Sequence, residues 1–191
     1  MTDPIERFGA LLDRARQTDL PEPTAMSLAT ADTRGRPSVR MVLLKGFDAS
    51  GFAFYTNLES RKAGELLANP HAALCFHWQP LQVQVRVEGR VQQVSLPEAD
   101  EYFATRPRGS QLGAWASLQS KPLDSYAELE GRVAEIRARF GEGPIPRPDF
   151  WSGFRVVPER IEFWTARADR LHEREVYTRS DEGWSIELLY P

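Results

Sequence analysis

Apolar positions recur along the chain with two periods, and the changes from one to the other divide it into elements. Ile5, Phe8, Leu11, Leu12 and Ala15 fall at helical spacing. They follow Asp3-Pro4-Ile5-Glu6, which offers an N-cap, a proline at the first helical position and a capping-box glutamate. A docking helix is predicted, broken by Leu20-Pro-Glu-Pro23. Ala25 to Ala31 then reads as a strand closed by the turn Asp32 to Arg36, and Pro37 to Phe47 as a second strand, carrying Val39, Met41, Val42, Leu43 and Leu44 with Arg40 and Lys45 interrupting. Asp48 to Gly51 turns it into a third strand, Phe52 to Thr56. Ser60 caps a short helix running to about Ala68, and His71 to Trp78 is a strongly apolar strand. Leu81 to Gly89 alternates so strictly that one face is buried and the other, carrying Gln84, is polar.

The second half mixes the two periods. Ser95-Leu-Pro-Glu98 opens a helix ending near Arg106-Pro107, on which Tyr102 and Arg106, four apart, share a side. Arg108 to Ser117 combines glycines with polar groups in the manner of a ligand-lining loop. Ser125-Tyr-Ala-Glu128 opens the longest predicted helix, whose stripe of Tyr126, Leu129, Val133, Ile136 and Phe140 is most simply core. After the glycine- and proline-rich connection Gly141 to Pro148, strands are predicted at Gly153 to Val157, Ile161 to Thr165, Val176 to Arg179 and Trp184 to Leu188. Many short strands with a few peripheral helices point to a mainly β fold, an antiparallel barrel.

Composition narrows the function classes. With 191 residues, 41% of them hydrophobic, one substantial core can be buried, and no shift in composition marks a second domain. A net charge of −3 gives no global attraction to nucleic acid or to an anionic membrane, so basic residues matter only where they cluster and the partner is expected to be a small molecule. The single Cys75, within an apolar run, reads as a core thiol in a reducing compartment. The N-terminus lacks a basic-then-apolar signal pattern and no apolar run approaches spanning length, so a cytoplasmic location is expected. Dinucleotide, P-loop and nucleophile-elbow motifs are absent, and His71, His77 and His172 are too scattered to suggest a metal. Without a paired nucleophile and base, the chemistry is expected to reside in a cofactor.

Two clusters of cations stand out. Arg61 and Lys62 fall in the first turn of the helix capped by Ser60, where the helix dipole disfavours positive charge, and Arg40 and Lys45 add charge from a neighbouring strand. An anion such as a phosphate would relieve that conflict, although a solvated basic helix end is an equal reading of the same residues. The second cluster follows Arg160-Ile-Glu-Phe-Trp164. There Ile161, Phe163 and Thr165 alternate as a half-buried strand, and then Arg167, Arg170, His172 and Arg174 arrive together. A strand ending in a charged surface loop would satisfy the composition, but the order of these residues says more.

The string Ile161-Glu-Phe-Trp164 followed by Arg170-Leu-His-Glu-Arg174 closely resembles the C-terminal signature of the pyridoxamine 5′-phosphate oxidase family. Thr165 departs from the glutamine, histidine or glycine more usual in that family. The resemblance extends through Pro23-Thr-Ala-Met26, Arg40-Met-Val-Leu-Leu-Lys45, Phe54-Tyr-Thr-Asn57, Ser60-Arg-Lys62, Arg106-Pro-Arg-Gly-Ser110, Gln111-Leu-Gly-Ala-Trp115 and Phe150-Trp151, nearly the whole chain. It implies one FMN-binding split β-barrel domain over residues 1–191, with a dimerisation and substrate segment from about 150, and a homodimer holding two FMN molecules in clefts at the subunit interface.

Carried over residue by residue, the resemblance assigns FMN binding to Arg40, Met41, Val42, Leu43, Leu44 and Lys45, to Tyr55, Thr56, Arg61 and Lys62, and to Gln84, Gln119, Ser120, Trp164 and Arg174. It assigns the substrate phosphate to Lys45, Tyr102, Arg106 and Ser110, and the substrate's pyridine ring to Arg170, Leu171 and His172, of which Arg170 and His172 are the catalytic pair. Lying two apart, these two project to one side if the backbone there is extended. The implied reaction is oxidation of pyridoxine and pyridoxamine 5′-phosphates to pyridoxal 5′-phosphate, with oxygen reduced to peroxide. Family members usually carry a longer N-terminal segment that folds over substrate, whereas this chain starts almost at its first helix. The alternatives are therefore a related FMN oxidase of the phenazine-biosynthesis kind and a non-catalytic flavin or pyridoxal phosphate carrier. A carrier of FMN alone would have no use for the second phosphate cluster.

Overall fold

A computed structural model describes residues 3–191. Its centre is one antiparallel sheet that curls into a half-barrel, with strands β1 (Ala25–Ala31), β2 (Pro37–Leu43), β3 (Gly46–Asp48), β4 (Gly51–Asn57), β5 (His71–Trp78), β6 (Val83–Gln93), β7 (Trp151–Thr165), β8 (Glu173–Ser180) and β9 (Gly183–Leu188). The main path runs β2-β1-β5-β6-β7-β4-β3, and β8 and β9 continue from β7. Helices α1 (Pro4–Arg16), α2 (Arg61–Ala68), α3 (Leu96–Thr105), α4 (Arg108–Ala116) and α5 (Tyr126–Phe140) lie around it.

Alternation in the sequence becomes the two faces of the sheet. Val83, Val85 and Val87 of β6 point into the core, as do Met26 and Leu28 of β1, while Gln84 and Arg86 face outward. Helix α1 closes the half-barrel. Asp3 caps it by accepting from the backbone N–H groups of Ile5 and Glu6, and Phe8 packs edge-on against Phe47, Phe52 and Phe76 with ring centroids 4.9 Å away in each case. Truncating such a ring costs roughly 3–5 kcal/mol. Arg7 pins the same helix to β7 and β8, its guanidinium 4.3 Å from the Phe163 ring centroid and donating to Glu175 at 2.6 Å.

Four sequence expectations need correction. Pro37 to Phe47 is not one strand: β2 ends at Leu43, Leu44 turns into the core, and β3 starts at Gly46. The predicted strands 153–157 and 161–165 are one strand, β7, which tolerates Pro158 because the register shifts between Glu88 and Gly89 of β6. A Cβ on Gly89 would lie 2.0 Å from the Val157 carbonyl oxygen, so only glycine permits that shift. Residues 108–116 form helix α4, not a loop, because Leu112 and Ala116 bury on one side and outweigh the glycines. Finally, α5 has helical periodicity but no buried residue, and Tyr126 is 82% exposed. Its stripe touches a small cluster around Phe103, Leu112, Ile145 and Trp151 only through Ile136 and Phe140.

Candidate functional site

A cleft of about 690 Å³ opens where β2, the end of β4 and the start of α2 meet α3 and α4. Each wall follows from a local feature of the sequence. In β2 the period-two alternation sends Arg40 and Val42 to one face and leaves Val39, Met41 and Leu43 on the other. At α2, Ser60 accepts from the Ala63 N–H and so starts the helix with Arg61 and Lys62 at its mouth. Tyr102 reaches the cleft from the last turn of α3 and Arg106 from the residue that caps its end, where the backbone is already extended, so the two meet the same cleft although the helix predicted to carry both stops at Thr105.

The first cation group is more balanced than the sequence suggested. Glu65, 7% exposed and one turn along α2, takes Arg61 Nε at 2.8 Å and Arg40 Nη2 at 3.2 Å, together with the hydroxyls of Thr30 and Ser38. Burial acts to raise the Glu65 pKa, but hydrogen bonds from Ser38, Thr30 and Arg61 and the Arg61 charge bring it down to about 2. The conflict at the helix start is thus partly answered from within the chain. Arg61 turns away to Glu65 and does not line the cleft, which corrects the picture of Arg61 and Lys62 as an equivalent pair. Lys62 does line it. Its ammonium donates to Thr56 Oγ1 and Gln119 Oε1, both at 3.0 Å, and burial beside Arg40 lowers its pKa. Among the described residues no carboxylate pairs with it.

The second group is built on aromatic rings. Tyr55, Tyr102 and Trp151 lie nearly parallel, Tyr55 4.0 Å from Tyr102 and 5.5 Å from Trp151 between centroids. Gly153 makes room for this stack, since a Cβ there would come within 2.7 Å of the Tyr55 ring. Burial, with the neighbouring Glu98, pushes the Tyr55 phenol up to about 12, so it stays protonated and donates to Glu98, which also binds Arg155 at 2.6 Å. The Arg106 guanidinium sits 4.7 Å from the Trp151 ring centroid, and its Nη1 is buried without a hydrogen-bond partner. Burial lowers the Arg106 pKa, partly offset by Tyr102. An orphaned cationic donor of this kind is costly unless a ligand answers it.

Of the residues assigned from sequence, the cleft gathers Arg40 to Leu43, Lys45, Tyr55, Thr56 and Lys62 with Tyr102, Arg106, Ser110 and Gln119. Leu44 is buried in the core, and Ser120, with a left-handed φ of 71°, is exposed beyond the rim. The remaining residues form a separate group. Strand register sets Gln84 opposite Trp164 and Trp164 opposite Arg174, making a row across β6, β7 and β8. His172 packs on Trp164 at 4.5 Å, and Leu171 is 68% exposed. The backbone before His172 is a tight turn, not an extended segment, with Asp169 and Arg170 at φ 54° and 60°. Arg170 and His172 are therefore not related as alternate positions of a strand. The Arg167 N–H donates to His172 Nδ1 at 3.2 Å, which leaves the imidazole proton on Nε2, free to donate outward. Arg174 is held bidentately by Glu162 and reaches the Tyr190 carbonyl at 3.1 Å. Sequence reasoning overlooked Glu65 and gave Trp151 no role, although Glu65 stands at the i,i+4 position from Arg61 where a partner is expected.

The half-barrel with a cationic cleft beside it defines a protein of the split-barrel class. A pyridoxamine 5′-phosphate oxidase-related, FMN-binding protein from Nostoc punctiforme shares the fold at a TM-score of 0.80 and 20% identity, covering 100% of this chain and 99% of that one. The chain belongs to the pyridoxamine 5′-phosphate oxidase family: that family's profile matches residues 12–140, and the pyridoxine 5′-phosphate oxidase C-terminal dimerisation region matches residues 151–191. Pyridoxine/pyridoxamine 5′-phosphate oxidases from Myxococcus xanthus and Rhodospirillum rubrum are 61% and 59% identical, each over 99% of this chain and over 92% and 96% of their own lengths. The crystal structure of PhzG from Burkholderia lata, in complex with tetrahydrophenazine-1-carboxylic acid, superposes at a TM-score of 0.94 with 31% identity, covering 100% of this chain and 94% of that one. No helix among the described residues is long and apolar enough to cross a membrane.

Proposed function

We propose that this protein oxidises pyridoxine and pyridoxamine 5′-phosphates to pyridoxal 5′-phosphate with FMN as cofactor and oxygen as acceptor, releasing hydrogen peroxide. The observation that carries the reading is a single cleft with two separate cationic centres, Lys62 beside Arg40 and Arg106 beside Tyr102, of which Lys62 and Arg106 lack a carboxylate partner among the described residues. Two phosphates, one on the cofactor and one on the substrate, fit two such centres. Identity near 60% to oxidases of these substrates supports this reading over a phenazine one, for which the related PhzG stands at 31%.

The buried Lys62 and the unpartnered Arg106 are groups that phosphate oxygens would satisfy, so the residues fit the cofactor and substrate proposed. Arg40, Lys62, Thr56 and Gln119 would hold the FMN phosphate, with Met41 to Lys45, Tyr55, Arg61 and Ser120 around the rest of the molecule. Bound FMN would supply a two-electron acceptor for the hydride leaving C4′ of the substrate. The protein's own part is placement. Arg106, Tyr102, Ser110 and Lys45 would anchor the substrate phosphate, and Arg170 with His172 Nε2–H would hold the ring.

A homodimer is part of the proposal. Gln84, Trp164, Arg170, Leu171, His172 and Arg174 stand outside the cleft of their own chain, and Val39, Met41 and Leu43 of β2 are 68%, 63% and 37% exposed. A second copy would cover the apolar strand and bring the missing residues. On this reading residues 1–191 act as one domain, with the segment from about 150 as its dimerising part.

Purified protein supplied with FMN and either phosphate ester under air should form pyridoxal phosphate and peroxide, and run at twice the chain mass by light scattering. Absence of turnover on both esters would reject the reading. Lys62→Ala should weaken FMN by roughly ten- to a hundredfold, the loss of one charge-assisted hydrogen bond. Arg61→Ala should do much less, since Arg61 is exposed and already paired. Flavin fluorescence titration measures both, and an equal effect would count against the distinction.

A further inference from the structure

We infer that Trp151 is a positioning residue that gives the site its demand for a phosphorylated substrate, by holding the Arg106 guanidinium on its indole face; the inference rests on the proposed function and adds a residue to it. The reason lies in how the cations of this protein are held. Arg40 and Arg61 share Glu65, Arg155 has Glu98, Arg147 has Asp100, and Arg174 has Glu162. Each is oriented by a carboxylate, and each has part of its charge answered by it. Arg106 is different: among the described residues its side chain has no hydrogen-bond or ion-pair partner, and its Nη1 is buried with none. What fixes it is the Trp151 ring at 4.7 Å and, further away, Phe103 at 5.6 Å.

An aromatic face holds a guanidinium by its quadrupole without accepting its N–H groups. No donor of Arg106 is therefore spent on a protein acceptor, and its charge is not cancelled, which is the arrangement a dianion requires. Trp151 is itself fixed. It is 5% exposed, opens β7 opposite Asn57, lies parallel to Tyr102 at 6.2 Å and takes the edge of Phe103 at 5.1 Å. Tyr102 on α3 and Arg106 at its C-terminal cap, both proposed at the substrate phosphate, thus pack against one indole.

The test uses the flavin-loaded protein and compares Trp151→Leu, which removes the aromatic face, with Trp151→Phe, which keeps one. Trp151→Leu should raise KM for pyridoxine phosphate by about three- to thirtyfold, the range of a cation–π contact, and should affect KM more than kcat. Trp151→Phe should recover most of the loss, and FMN affinity should be the same in both. In an Arg106→Ala background Trp151→Leu should add little, because the residue acts through that guanidinium. Equal losses in the two backgrounds, or a fall in kcat and flavin affinity together with KM, would overturn the inference. Inorganic phosphate competition against a bound phosphate ester, read as a flavin difference spectrum, gives a second measure independent of turnover. If the wild type binds phosphate in a Trp151-dependent way but turns over neither ester, the proposed function fails and the inference stands. If turnover is normal and phosphate binding is indifferent to Trp151→Leu and Trp151→Phe, the reverse holds.

Discussion

Arg106→Ala is expected to lower kcat/KM for pyridoxine phosphate by roughly thirty- to several-thousandfold, the effect of about 2–5 kcal/mol for truncating one partner of a buried charged pair. The guanidinium brings a charge with no carboxylate to share it and a buried donor with no hydrogen-bond partner, so within the chain only the Trp151 and Phe103 rings answer it. Unphosphorylated pyridoxine, already lacking the anion, should be turned over by wild type and variant at much closer rates. Arg106→Lys should recover only part of the loss, because an ammonium lacks the planar fork and fits the Trp151 face less well. Steady-state kinetics on the two substrates decide it. A loss of the same size with pyridoxine would mean that Arg106 supports the fold of the cleft and does not read the phosphate.

The second large effect is expected at Glu162, which is 1% exposed and accepts from Arg174 Nε at 2.8 Å and Nη2 at 3.2 Å, with Arg86 at 3.0 Å and Arg160 at 3.6 Å. Glu162→Ala strands several guanidinium groups around an empty position and should destabilise the protein by about 3–5 kcal/mol. Glu162→Gln keeps the shape and loses the charge, so it should cost less in stability yet still loosen Arg174 and weaken FMN. Burial would raise the Glu162 pKa, but the Arg174 hydrogen bond and the charges of Arg86, Arg174 and Arg160 outweigh it and hold the pKa below the ordinary glutamate value. A carboxylate depressed in the folded state stabilises above its unfolded pKa and stops doing so as the pH falls through the folded one. The stability gap between wild type and Glu162→Gln should therefore be full at neutral pH and narrow in acid. Urea unfolding at the two pH values measures this, and a gap that widened in acid would reverse the assigned sign.

Period and capping proved enough for most elements, for physical reasons that differ from one to the next. Val83, Val85 and Val87 alternate because one face of β6 is core, and a period of two has no other common cause. Ser60, Ser95 and Ser125 each cap the helix that they announce. In helix α5 spacing reports that there is an apolar side, but whether a neighbour covers it is a fact of tertiary packing. Arg108 to Ser117 misled through its glycines, whose local cost is smaller than the gain from burying Leu112 and Ala116. At the cleft, Tyr102 and Arg106 were legible as a pair because helical spacing holds them close, one in the last turn of α3 and the other at its cap. The row Gln84, Trp164 and Arg174 depends on the register of three strands, which spacing along the chain does not contain. Trp151 carries no local mark separating a buried ring from one that supports a cation.

Strand β7 changes partners along its length. Residues 151–156 pair with β4, which carries Tyr55 and Thr56, whereas residues 160–165 pair with β8, which carries Arg174. The spacing between Trp151 and Trp164 is for that reason a fixed dimension of the molecule. Inserting or deleting one residue within it would turn the side chains of one half to the opposite face while the other half kept its register. The pairing of β6 with β7 already carries one register shift, at Gly89, where a Cβ would meet the Val157 carbonyl. Changes of chain length in the connection 141–148, outside the sheet, would leave that register alone, but within β7 they would separate the two groups of residues that the strand holds in step.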